Sequence, residues 1–250
     1  MGNIRERLAV LLEERLEDVA VLRLNASHTE SDRTGSASAS LANSLRFIGV
    51  AQYVLNHDIG AFKTNLIESA RIRLRLLDRF DTRAPISKSY VSILVYKSIF
   101  NALAAGDFSL GQALASKMGG RSVIEQEYDH PFDLAMGYAL RACVLDNESE
   151  MEVRIGQLES YCAENSPNFV GYADLFKVIY SEANAYGSAA LVRILEGHER
   201  EANGRGCFKD SEDEMISVWA VGTVNLARTR GLSIPAVAPL VPDDLLIRVQ

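Results

Sequence analysis

Apolar residues recur along the chain at helical three- and four-residue spacing, in segments cut by Gly, Pro, Asp and Asn. Residues 3–24 place Ile4, Leu8, Leu11, Leu12, Leu16 and Val19 on one side and Arg5, Glu6, Glu13, Glu14 and Glu17 on the other, which predicts an amphipathic helix. The polar, Ser-rich stretch from Asn25 to Ser40 reads as a mobile linker. Leu41 to Asn56 and Ile59 to Phe80 read as two helices, the second opened by Asp58. The centre of the pattern runs from Ile86 to Met118, two helical segments hinged at Ala104-Ala105-Gly106-Asp107-Phe108. Asp107 is placed to cap the second segment by accepting from a free first-turn N–H, and Gly106 suits the left-handed turn that ends the first.

Beyond the hinge, residues 121–129 read as irregular and Pro131 starts a helix through Leu145. Asp146 opens the next helix, to about Cys162, another follows from Phe169 to Ser181, and Asn184 caps one more. Ser211 with Glu214 reads as the capping box of a last helix, Met215 to Arg230. Pro235, Pro239 and Pro242 predict an extended tail before a short turn at Asp243 to Arg248. The hinge residues Asp58, Asp107, Asp146 and Asn184 recur roughly every 40 residues, a spacing in the range of stacked α-hairpins. The expected fold is therefore all-α: irregular, helical-repeat-like stacked hairpins with no significant sheet. We expect one domain over residues 1–250, with an N-terminal helix and linker (1–40) ahead of the hairpins (41–250).

Composition narrows the function classes. At 250 residues, 48% hydrophobic and 24% charged, the chain has the makings of a sizeable core and not of a disordered protein. A net charge of −7 disfavours general affinity for nucleic acid or an anionic membrane and favours a basic partner. Arg71, Arg75 and Arg79 form a basic row on one helix, for which pairing with neighbouring carboxylates is the expected use. The three cysteines (Cys143, Cys162, Cys207) lack metal-like spacing and read as free thiols of a reducing compartment, with the cytoplasm as the expected location. No secretory signal or membrane-spanning run is read from the sequence.

Two acidic clusters are the candidate interaction residues. Glu125, Glu127, Asp129 and His130, with Asp133 close by, could ligate a metal, present an acidic loop to a basic partner, or form a solvated loop whose His130 or Asp129 caps the Pro131 helix. Asp210, Glu212, Asp213 and Glu214 either complement a helix dipole or steer a basic partner. His198-Glu199-Arg200-Glu201 fails as a zinc-protease helix because Ala202 stands where the second histidine belongs. Neither a nucleophile elbow nor a phosphate-binding loop is present in the sequence, so no enzymatic activity, cofactor or metal is expected.

Phe100 to Met118, "FNALAAGDFSLGQALASKM", the helix "PFDLAMGYALRACVLDN", and Asp213 to Leu246, "DEMISVWAVGTVNLARTRGLSIPAVAPLVPDDLL", carry a family resemblance. Together they resemble the immunity protein 49 family of bacterial polymorphic-toxin systems. The matching positions are Ala105, Gly106, Asp107 and Phe108 at the hinge, then Asn225, Leu226, Ala227, Arg228, Gly231 and Leu232 at the last helix end. The resemblance implies an all-helical protein that binds and neutralises a cognate toxin, and it supplies no catalytic residues. The alternative from the same architecture is a helical-repeat adaptor for a peptide or helix of another partner.

Overall fold

A computed structural model of the protein describes residues 4–249. Among them are eleven α-helices and no strand beyond an isolated bridge between Val237 and Val241. Helix α1 (Ile4–Ser27) lies against α2 (Ser36–Asn56), and α2 against α3 (Ile59–Asp81). Next come α4 (Tyr96–Ala104), α5 (Phe108–Lys117), the short α6 (Ser122–Tyr128) and α7 (Pro131–Val144). The last four are α8 (Glu148–Asn165), α9 (Val170–Ser181), α10 (Gly187–Glu201) and α11 (Val218–Thr229). Helices adjacent in sequence pack together from α1 to α5 and from α7 to α10, whereas α11 returns to the middle and packs on α4.

The hinge is built as its residues dictate. Asp107 Oδ1 accepts from Leu110 N at 3.0 Å, and Gly106 sits at φ 83° where a Cβ would be strained. Pro131 opens α7, and His130 Nδ1 accepts from Phe132 N at 3.2 Å. Asp58 likewise caps α3 through Ala61 N at 2.8 Å.

Elsewhere local signals were overruled. The expected mobile linker is a tight turn held by a buried carboxylate: Asp32, 1% exposed, accepts from Ser38 N and Ser38 Oγ and pairs with Arg79. A buried charge is tolerable only with such partners, so the Ser-rich composition here marks a capped turn and not a loose one. Residues 86–95 hold two 3-10 turns in place of a long helix, and 122–128 form α6 where irregular chain was expected. Asp146 adopts φ 55° after α7 and opens nothing, leaving Asn147 at the start of α8. Asn184 lies in a 3-10 turn, and its Oδ1 accepts from Ser233 N of the tail instead of capping α10. Ser211 caps only the 3-10 turn Glu212–Glu214, so α11 starts three residues later than expected.

The core is centred on the two apolar helices α4 and α11. Every residue from Ser98 to Ala104 is buried, as is every residue from Val218 to Ala227. Phe100 stacks on Trp219 with centroids 5.2 Å apart, and Tyr96, Tyr172 and Phe208 meet the indole edge-on. Such aromatic pairs add about 0.5–1.5 kcal/mol each beyond the area they bury. Close approach of α4 and α11 depends on Gly222, where a Cβ would stand 2.8 Å from the Phe100 carbonyl oxygen.

Candidate interaction site

The 210–214 carboxylates belong to a network that joins the N-terminal helices to the rest of the molecule. Arg46 of α2 reaches Asp213 with Nη2 at 2.6 Å and also pairs with Glu212, while its Nε donates to Asn101 Oδ1 at 3.3 Å. Arg7 of α1 pairs with Asp210 and, at 3.4 Å, with Glu214. Glu214 also accepts from Asp210 N at 2.9 Å. The Arg46 and Asp213 side chains are only 16% and 13% exposed, so each ion would carry a large desolvation cost without the other. Burial pushes the Asp213 carboxyl up and Arg46 pulls it back down without cancelling the effect.

The 125–133 cluster is dispersed by its own partners. Buried Glu125 accepts from Arg121 N and from the Tyr138 hydroxyl, at 2.9–3.0 Å. Asp129 Oδ2 accepts from Ile93 N at 2.9 Å, and burial raises that carboxyl above its ordinary value. Asp133 accepts from Tyr96 Oη at 2.9 Å, His130 caps α7, and exposed Glu127 faces Lys88 at 3.4 Å. Of the eight candidate residues, Glu127 and Asp210 keep the most exposed carboxylates, while Glu125 and Asp213 cannot reach a partner without opening the fold. Among the described residues no group of three or more His, Cys, Asp or Glu side chains is arranged to hold a metal.

Beside the Arg46 network lies a cleft of about 500 Å³ between α2, α3, α4 and the chain from Cys207 to Asp213. That volume is in the range of small-ligand sites. Arg73 of α3 and Lys97 of α4 bring positive charge to it, and Leu94, Phe208 and Trp219 form its apolar wall. Cys207 stands at the same cleft. Partial desolvation and then the neighbouring Glu201 push its thiol up to about 12, the opposite of an activated nucleophile. None of the cleft cations was a candidate in the sequence, although one signal was present. Arg46 is the only charged residue in the 21 residues of α2, and a lone charge in an apolar helix needs a partner elsewhere in the fold.

The Arg71–Arg75–Arg79 row divides on folding. Arg79 pairs with buried Asp32 and Arg71 lies 3.6 Å from Asp107, while Arg75 stays exposed. The two stretches that carry the family resemblance meet directly. Asn225 Nδ2 of α11 donates to the Leu103 carbonyl at 3.1 Å and to the Ala104 carbonyl at 3.4 Å, at the hinge. It also donates to Leu245 O at 3.2 Å, and its Oδ1 accepts from Ile247 N at 2.9 Å, so one amide ties hinge, helix and tail. Arg228 completes the clasp through Ile234 O and Ile247 O.

No family model, curated protein or solved structure matches the chain. Among the described residues no helix is long and apolar enough to cross a membrane.

Proposed function

We propose that the protein is a non-catalytic immunity protein that binds a cognate bacterial toxin domain and neutralises it by stoichiometric occlusion. The observation that carries the reading is the clasp just described. Leu103 and Ala104, which lead directly into the Ala-Gly-Asp-Phe hinge, are hydrogen-bonded by Asn225 of the Asn-Leu-Ala-Arg helix end and, through it, to the tail. Stacked helices give a broad, largely preformed surface, which keeps the ordering cost of binding low.

The surface offered to a basic partner is α1. Its inward seam, Leu8 and Leu12, is buried against α2. The opposite seam, at positions 10, 14, 17, 21 and 24, follows the alternating four- and three-residue step of a helix face. It carries exposed Val10, Val21 and Leu24 around Glu14 and Glu17, with exposed Glu13 alongside. These three carboxylates have no ion-pair partner among the described residues. An apolar stripe framed by free carboxylates suits a toxin face of apolar residues ringed by Lys and Arg.

The test is co-expression in a bacterium with the neighbouring reading frame. Toxicity relieved by this protein, with a one-to-one complex on gel filtration, is the expected result. Reversal of Glu13, Glu14 and Glu17 to Lys should then slow association and flatten its salt dependence. Toxicity without rescue or complex would overturn the immunity reading and favour the adaptor.

A further inference from the structure

The cleft between α3 and α4 holds more hydrogen-bond donors than acceptors. Arg73 is half-buried, and only its Nη2 is engaged, with Asn43 Oδ1 at 2.7 Å and the Ala39 carbonyl at 3.5 Å. No carboxylate pairs with it among the described residues, and its Nε and Nη1 are free. Lys97, one element away at the same cleft, lies over the Tyr96 ring and near enough to Asp213 and Cys207 to draw both groups' pKa values down, but it makes no ion pair. Ser98 is 6% exposed and its hydroxyl has no partner, not even the carbonyl one helical turn back. Asn101, 2% exposed, spends its Oδ1 on Arg46 and leaves its Nδ2 donor unused.

These donors open onto one cleft without a partner in the chain, so an acceptor that enters the cleft can engage several of them together. The acidic residues at the cleft do not supply it. Both Asp213 oxygens and Oε1 of Glu212 are already taken by Arg46. With Arg73 and Lys97 counted against these carboxylates and Arg46, the lining retains a net positive charge.

We propose that this cleft is a binding site for an organic phosphate monoester. A guanidinium, an ammonium, a hydroxyl and a carboxamide from two helices would use every acceptor site of a carboxylate, and the two cations carry twice its charge, which a phosphate monoester matches. Three phosphoryl oxygens can take them all. The apolar wall of Leu94, Phe208 and Trp219 has room for the organic portion, which makes a bare ion the poorer occupant. This assignment goes beyond toxin neutralisation and stands without it, because it concerns the isolated chain.

Trp219 is the single tryptophan and lines the cleft, so its emission reports occupancy. Phenyl phosphate, inorganic phosphate, benzoate and phenol are titrated into the full chain. Saturable binding of phenyl phosphate, tighter than that of the other three, is the expected result. Arg73→Gln and Lys97→Gln should each weaken it by about tenfold or more, the loss of one charge-assisted contact. Lys97 is solvent-exposed, so its variant tests the site without threatening the fold, and Lys97→Arg should keep most of the affinity. The proposal is overturned by benzoate binding as tightly as phenyl phosphate, by affinity unchanged in both Gln variants, or by no saturable change at millimolar phenyl phosphate.

Discussion

Arg46 shows how one side chain holds two regions of sequence together. It is the sole charge of α2, and its guanidinium is spent on Glu212, Asp213 and Asn101. Arg46→Ala would leave Asp213 buried and unpaired, and should lower unfolding free energy by about 3–5 kcal/mol in urea titrations. A loss under about 1 kcal/mol would mean that water replaces the guanidinium without penalty. His198, in contact with the same segment, sets a pH response. Its ring is 3% exposed, Nε2 meets the Asp213 carbonyl at 2.9 Å, and Nδ1 is buried without a partner. A carbonyl only accepts, so Nε2 carries the proton and a second proton at Nδ1 would place a charge in the core. Burial therefore pulls the imidazole pKa down from 6.5 to about 4, against the opposing effect of the Asp213 contact. Between those values the unfolded chain binds a proton that the folded chain does not. Stability is thus complete above pH 6.5 and declines toward pH 4, by up to about 1.4 kcal/mol per pH unit. His198→Phe should flatten this decline relative to the parent chain. Equal slopes in pH-dependent denaturation would remove His198 as its cause.

At the scale of elements, the junction of α4, α5 and α11 depends on Asn225. The residue is 0% exposed and hydrogen-bonds three carbonyls and one amide N–H from the hinge and the tail. Asn225→Ala strands those groups inside the fold and should cost more than an ordinary side-chain truncation, at least about 2 kcal/mol. Asn225→Asp should be no better, since a carboxylate would face the same carbonyl oxygens without a donor. Either variant retaining parental stability would show that the tail closes on the hinge by packing alone. The helices themselves were legible where a cap, a proline or a glycine stop coincided with apolar periodicity, as at Asp58, Asp107 and Pro131. They were illegible where a polar residue finds its partner far away. Asn184 has the sequence character of a cap, yet its oxygen serves Ser233 N. Asp32 has the character of a linker residue, yet its buried carboxylate is held by Arg79, on a helix remote in sequence.

For the whole molecule, burial is graded from the inside outward. Helices α4 and α11 are sealed on every side, whereas α1 buries only Leu8 and Leu12 along 24 residues and leans on the Arg7 and Arg23 ion pairs. Exposed ion pairs contribute little, so α1 should open well below the global unfolding free energy. Native-state hydrogen exchange should find α1 amides far less protected than those of α4 and α11. Equal protection would mean that α1 unfolds only with the core.

By itself the sequence determined the all-α class, the position of the hinge, most helix spans and the apolar faces that become the core. Those properties arise from interactions within a few residues: side-chain periodicity, first-turn caps and the conformational limits of Gly and Pro. Only the tertiary structure decided which charges are spent and which are left over. The carboxylates at 125–129 and 210–214 look free along the chain, but their partners Tyr138, Ile93, Arg7 and Arg46 arrive from other elements. Arg73 and Lys97 look like ordinary surface cations, and the cleft that gathers them exists only once α3 and α4 have packed. Electrostatic pairing and concavity depend on distances between elements remote in sequence, and no local pattern encodes them.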